Sequence, residues 1–122
     1  MRGMTLKKST TKIYHSKLEG KLRDQVTAYL KTRRDVWFMK VVGNSIQKAG
    51  VADFLICYRG RFLAVELKRP DGKGEATTRQ LLELKKVRNA GGMGVVIESL
   101  DELVKLLGEI DHEHQTKFSQ FK

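Results

Sequence analysis

The chain has 122 residues, which is enough for one domain whose core needs no disulfide or metal to hold it together. Its composition, 40% hydrophobic and 31% charged with a single proline, excludes a disordered chain, and its single cysteine excludes an internal disulfide or a cysteine-rich zinc site. The formal net charge of +10 favours a polyanionic partner, and nucleic acid is the usual one.

The first elements predicted in chain order are a basic arm over residues 1–14 and a helix after it. Ser16-x-x-Glu19 resembles a capping box, and apolar residues follow it at helical spacing to about Lys31. The segment Val36–Val42 is β-branched and aromatic, so it predicts the first strand.

A hairpin follows. Phe54–Tyr58 and Arg61–Lys68 have strand composition, and Arg59-Gly60 between them is a plausible two-residue turn. Two further residues are predicted to lie in the core: Trp37 and Cys57.

The turn-rich segment RPDGKGEA ends the hairpin and leads to a second helix. This helix is predicted to begin at a capping box, Thr77-x-x-Gln80, and to end near Asn89. The segment VVIES then predicts a short strand, and Ser99-x-x-Glu102 caps a third helix.

The predicted order αβββαβα indicates an α/β domain with a mixed β-sheet flanked by helices. We expect this domain to span residues 15–110, with a polar, weakly ordered C-terminal tail over residues 111–122.

The hairpin brings two carboxylates together. If the turn has two residues, Tyr58 pairs with Arg61 and Asp53 falls directly opposite Glu66. Opposed like charges on one face are destabilising, and a hard divalent cation between the carboxylates would relieve the repulsion. Lys68 lies one step further along the same face. It could help to deprotonate an attacking water or stabilise negative charge on a phosphate.

A structural interpretation of the same residues stays open at this point. Asp53 would then cap a turn, while Glu66 and Lys68 would form a surface ion pair. The chain would in that case be a non-catalytic basic module that binds nucleic acid.

The stretch Gly50–Leu107 resembles the VRR-Nuc family, the virus-type replication and repair nucleases of the PD-(D/E)XK superfamily. The acid, the hairpin, the E-x-K triplet and the glutamine on the next helix occur in family order, as does AGG before a short strand. The departure is Ala52, which stands where the superfamily's name has proline. The resemblance implies a restriction-endonuclease-like core and Mg²⁺- or Mn²⁺-dependent hydrolysis of DNA that leaves a 5′-phosphate.

The resemblance also implies roles for individual residues. Asp53, Glu66, the main-chain carbonyl of Leu67 and the first-helix acid Glu19 match metal ligands. Lys68 matches the catalytic lysine, and Gln80 matches a glutamine that supports the site. Capping alone would also account for Glu19 and Gln80, since each is the third residue after its capping Ser or Thr.

DNA is the expected partner. The basic residues predicted to contact it are Lys40, Arg59, Arg61, Arg69 and Lys73. Their spread over several elements suits recognition of backbone and shape more than of bases, so we expect a preference for branched DNA such as four-way junctions or flaps. Cleavage of two strands by single sites favours a homodimer.

The remaining expectations concern location and cofactors. No apolar run approaches the length of a membrane helix, and the segment MRGMTLKKSTTK has charge without an apolar core. We therefore expect no membrane span and a cytoplasmic location, in a bacterial cell or a phage-infected host. No phosphate-binding loop motif occurs, so no nucleotide cofactor is expected.

Overall fold

The computed structural model describes residues 20–42, 49–69 and 76–120, with side chains through residue 116. The predicted arm over residues 1–14 and the predicted Ser16-x-x-Glu19 cap lie outside these ranges. The described elements are α1 (20–32), β1 (Val36–Lys40), β2 (Phe54–Tyr58), β3 (Arg61–Leu67), α2 (Thr78–Asn89), β4 (Met93–Ile97) and α3 (Leu100–Gln120). This order and the helices on both sides of the sheet confirm the predicted fold class.

The four strands form one mixed sheet in the order β1-β2-β3-β4, in which only β3 and β4 are parallel. The β2–β3 turn has the two residues predicted. Arg59 and Gly60 have φ values of 49° and 79°, and a tight hairpin turn of the type I′ kind needs such left-handed conformations. Tyr58 therefore pairs with Arg61, as predicted, and the same register continues to Phe54 opposite Val65.

One face of the sheet carries the main core. Ile56, Leu63 and Val65 are fully buried there against an apolar stripe of α1, of which Val26 is the centre, and against α3 through Leu103. Alternate strand residues point to this face, which explains how short strands supply a continuous core.

The other face is covered by α2, which packs closely over β3 and β4. Leu84 is buried against Ala64, and a Cβ added at Gly94 would lie 2.4 Å from the Leu84 carbonyl oxygen. Only glycine therefore allows the helix backbone to approach β4 so closely.

Because one helix cannot cover four strands, large apolar side chains beyond α2 are exposed. Trp37 is 59% exposed, Phe62 44% and Met39 42%. Cys57 is exposed on the same face. The prediction that Trp37 and Cys57 lie in the core is therefore wrong, because both project from the face that α2 alone covers among the described helices.

Helix α3 continues to Gln120, through most of the segment predicted as a weakly ordered tail. Ile110 is buried, and the next turn is held by ion pairs: Asp111 accepts from Arg59 at 2.7 Å, and Glu113 accepts from Arg61 at 2.7 Å. The polar sequence is thus the solvated side of an anchored helix. Within the described residues, neither α3 nor any other helix is both long and apolar enough to cross a membrane.

Candidate active site

The site is built at the end of the sheet opposite the Arg59-Gly60 turn, where Asp53 enters β2. The Val41 N–H donates to the Asp53 main-chain oxygen at 2.8 Å, which extends the β1–β2 pairing. The Leu67 N–H donates to Asp53 Oδ2 at 2.8 Å. Main-chain hydrogen bonds from both neighbouring strands therefore hold Asp53. The bond from Leu67 uses Oδ2, so Oδ1 is the other carboxylate oxygen.

Glu66 lies beside Asp53 because the register places it immediately after Val65, the partner of Phe54. Its side chain is buried, with the whole residue only 5% exposed. Oε1 accepts a hydrogen bond from Gln80 Nε2 at 2.9 Å, whereas Oε2 is buried without a hydrogen-bond partner in the described structure.

The electrostatics of Glu66 reflect this setting. Burial, with the negative charge of Asp53 as the next cause, raises the pKa of Glu66 from 4.5 to about 8, and Arg23 acts in the opposite direction. A carboxyl group of this kind is stable either with a proton or next to a cation.

The residues present fit a divalent cation. Glu66 Oε2, which has no hydrogen-bond partner among the described residues, and Asp53 Oδ1 belong to adjacent carboxylates. The main-chain carbonyl of Leu67 comes next to Glu66 in the chain. The described ranges contain no group of three or more His, Cys, Asp or Glu side chains that could bind a metal, and the predicted third acid, Glu19, lies outside them. Mg²⁺ needs no such group, since it commonly binds one or two carboxylates and keeps several waters.

Gln80 makes a contact of each kind that the sequence left open, one with its capping residue and one with Glu66. Its Oε1 accepts from the Thr77 N–H at 2.8 Å and its own N–H donates to Thr77 Oγ1 at 3.2 Å, which completes the predicted capping box. Its amide nitrogen donates to Glu66 at the same time. The start of α2 and the buried carboxylate are thereby joined through one side chain.

Lys68 lies just after β3, where its N–H continues the parallel ladder to the Ile97 carbonyl oxygen at 2.8 Å. Its ammonium nitrogen lies 3.4 Å from Glu98 Oε1. Sequence reasoning missed Glu98, which is brought to Lys68 by the pairing of β3 with β4. The only available signal was that Glu98 is the one charged residue of the predicted strand VVIES.

Arg23 is a second residue that the sequence analysis missed. It belongs to α1, and its Nη2 lies 3.7 Å from Asp53 Oδ1. The position four residues after Glu19 places it on the same side of an ideal helix, and that spacing was the one available signal.

The five residues predicted to contact DNA do not form a single group. Lys40 is exposed at the end of β1, on the core-side face shared with Phe38, and Arg69 follows Lys68 at the site end of the sheet. Arg59 and Arg61 lie at the opposite end and pair with acids of α3. Lys73 lies outside the described residues. DNA contact by any of these residues stays a prediction.

Comparisons with known proteins give one structural likeness. No family model matches the chain, and no curated protein matches it. A solved structure described as a VRR_NUC domain superposes with a TM-score of 0.59 and 23% sequence identity, over 74% of this chain and 94% of that one. At this identity the likeness concerns the fold, and we conclude that the chain has the fold of that VRR_NUC domain.

Proposed function

We propose that the protein is a nuclease of the VRR-Nuc type that hydrolyses DNA phosphodiester bonds with Mg²⁺ or Mn²⁺. The observation that carries this proposal is the Asp53–Glu66 pair, in which a buried carboxylate oxygen has no hydrogen-bond partner among the described residues. The pair occurs on the fold of a VRR_NUC domain, in a chain with a net charge of +10. A nuclease would explain all three features together.

Each residue of the site then has a task. Asp53, Glu66 and the Leu67 carbonyl would hold the cation, and Glu19 would be the further ligand implied by the family pattern. A bound divalent cation supplies Lewis acidity toward a phosphate oxygen. Lys68, whose side chain is about one-quarter exposed, would stabilise the charge that builds on phosphorus-bound oxygens or accept a proton from the attacking water.

Gln80 would keep Glu66 in a geometry suited to the cation. Its amide donates to Oε1 of Glu66, which leaves Oε2 as the oxygen that would bind the cation. Since the same glutamine caps α2, the position of the carboxylate is tied to a rigid element.

The finer proposals are a preference for branched DNA and a homodimer. Recognition of shape suits basic residues that are spread over the molecule. A second copy would bring a second cleavage site, and the exposed apolar face around Trp37 and Phe62 is the surface on which we expect the two copies to meet.

The test is incubation of the protein with linear, nicked, flapped and four-way DNA in Mg²⁺, Mn²⁺ or EDTA. Cleavage with either metal and none in EDTA is expected, with the fastest reaction on branched DNA. Glu66→Gln should abolish cleavage and leave DNA binding intact. Binding without cleavage under every condition would instead favour a non-catalytic nucleic-acid-binding module.

A further inference from the structure

Arg23 is the one positively charged side chain that the described structure places against the carboxylate pair by an ion pair. Its neighbour Leu22 is buried in the core, so the position of α1 at this point is fixed by packing. The side chain leaves the helix next to the start of β2. Its guanidinium therefore reaches the candidate site from an element that contributes no other described residue to it.

The contact between Arg23 and Asp53 is loose. The nitrogen-to-oxygen distance of 3.7 Å exceeds hydrogen-bond length, and the Arg23 side chain is 41% exposed. Arginines that hold this fold together behave differently. Arg33 donates from Nε and Nη2 to both oxygens of Asp35 at 3.1 Å.

The loose contact leaves the donors of Arg23 available for another anion. Asp53 already receives its hydrogen bond on Oδ2 from Leu67, so Arg23 faces Oδ1, the oxygen that a cation would also use. Once a cation holds that oxygen, the attraction between Asp53 and the guanidinium weakens. An arginine with five donors in a planar fork is then suited to a phosphate.

We propose that Arg23 binds the phosphate group at the site, an inference that rests on the proposed nuclease function. In the metal-free protein it lies against Asp53, and with cation and DNA bound it turns to a non-bridging phosphate oxygen. It would be a catalytic residue of the reaction, on α1, in addition to Glu66 of β3 and Lys68 just after that strand.

The experiment compares Arg23→Ala with Lys21→Ala, an equal loss of charge at an exposed position of the same helix. Two quantities are measured: Mn²⁺ affinity without DNA by calorimetry, and the single-turnover rate at saturating DNA. For Arg23→Ala we expect Mn²⁺ affinity equal to or tighter than that of the wild type. Its rate should fall about 100-fold, the scale for loss of one donor to a developing charge.

The control variant should keep its rate within about threefold, and Arg23→Lys should recover part of the lost rate, since a point charge replaces the fork. Equal rates for the two alanine variants would overturn the inference. So would a loss of Mn²⁺ affinity in parallel with the rate, because Arg23 would then support the metal site. A wild-type protein that cleaves no DNA would overturn the proposed function and this inference together.

Discussion

A buried carboxylate with an unpaired oxygen destabilises a fold unless a proton or a cation accompanies it, and in the described part of the chain Glu66 is such a carboxylate. Its pKa is raised to about 8, so the metal-free folded protein holds the proton more tightly than the unfolded chain does. The stability that protonated Glu66 contributes to the folded state is fully present below pH 4.5 and is lost as the pH rises through 8.

We therefore expect the free energy of unfolding in EDTA to fall between pH 5 and pH 8 in the wild type. The slope contributed by Glu66 is at most about 1.4 kcal/mol per pH unit. In Glu66→Gln this contribution is absent, because the amide stays neutral and can still accept from Gln80. Urea unfolding of both proteins at four pH values measures this free energy. The same pH dependence in the two proteins would contradict the raised pKa of Glu66. Added Mg²⁺ should stabilise only the wild type, most strongly at pH 8.

Gln80 allows its two tasks to be separated by substitution. Thr77→Ala removes the cap and leaves the bond to Glu66, and it should cost about 1 kcal/mol of stability. Gln80→Ala removes the side-chain acceptor of the Thr77 N–H and the donor of Glu66 Oε1, and it keeps the main-chain bond to Thr77 Oγ1.

The discriminating measurement is Mn²⁺ affinity. We expect Gln80→Ala to weaken it about 10-fold, the lower end of the effect of losing a group that orients a metal ligand, and Thr77→Ala to leave it almost unchanged. Equal affinities in the two variants would mean that Gln80 serves the helix alone.

Local patterns account for the site residues that the sequence revealed. Glu66 lies near the end of β3 and Lys68 just after it, two residues on, and a two-residue turn brings Asp53 opposite Glu66. Arg23 and Glu98 escaped because their contacts depend on how α1 packs on the sheet and how β4 pairs with β3. The short-range signals for the two residues do not determine either arrangement.

Among the elements, α3 shows why a polar segment is not always a tail. The hydroxyl of buried Tyr58 donates to Asp111 Oδ1, and Arg33 and Arg59 also donate to that hydroxyl, at 2.8 and 3.2 Å. The middle of α3 is thus held at Asp111 by Tyr58 and Arg59, which are about fifty positions earlier. Hydrophobic periodicity fades after Ile110, so the sequence predicted the helix only as far as its apolar face continued.

Asp111→Ala should destabilise the protein by about 1 kcal/mol, because Tyr58 and Arg59 lose an acceptor while Asp35 Oδ2, at 3.4 Å, can still accept from the hydroxyl. Partial exposure of the carboxylate keeps the effect modest. Glu109→Ala, an equal charge change at an exposed position two residues earlier, should have little effect. Thermal unfolding compares them, and equal midpoints would refute an anchoring role for Asp111.

At the scale of the whole molecule, charge is unevenly distributed. The arginines of the hairpin turn face acids of α3. In contrast, the part of the sheet face that α2 leaves uncovered has no charged side chain on β1–β3 between the turn and the Asp53–Glu66 pair. The residues that the register places there are Trp37, Met39, Leu55, Cys57 and Phe62. Two chains that each carry +10 repel one another over most of their surface, so an uncharged aromatic face is the region where a second copy can approach.

We expect a homodimer that meets at this face. Trp37→Glu should give a monomer by light scattering, because it places a charge in an apolar contact, and the fold should persist since the side chain is 59% exposed. Val104→Glu is the matched control: Val104 is 40% exposed on α3, which packs on the opposite side of the sheet, and its substitution makes the same change of chemistry. A wild-type monomer at working concentration would refute the dimer, and dissociation of both variants would refute the choice of face.

If the dimer cleaves branched DNA through two sites, Trp37→Glu should nick one strand at nearly the wild-type rate and lose paired cleavage.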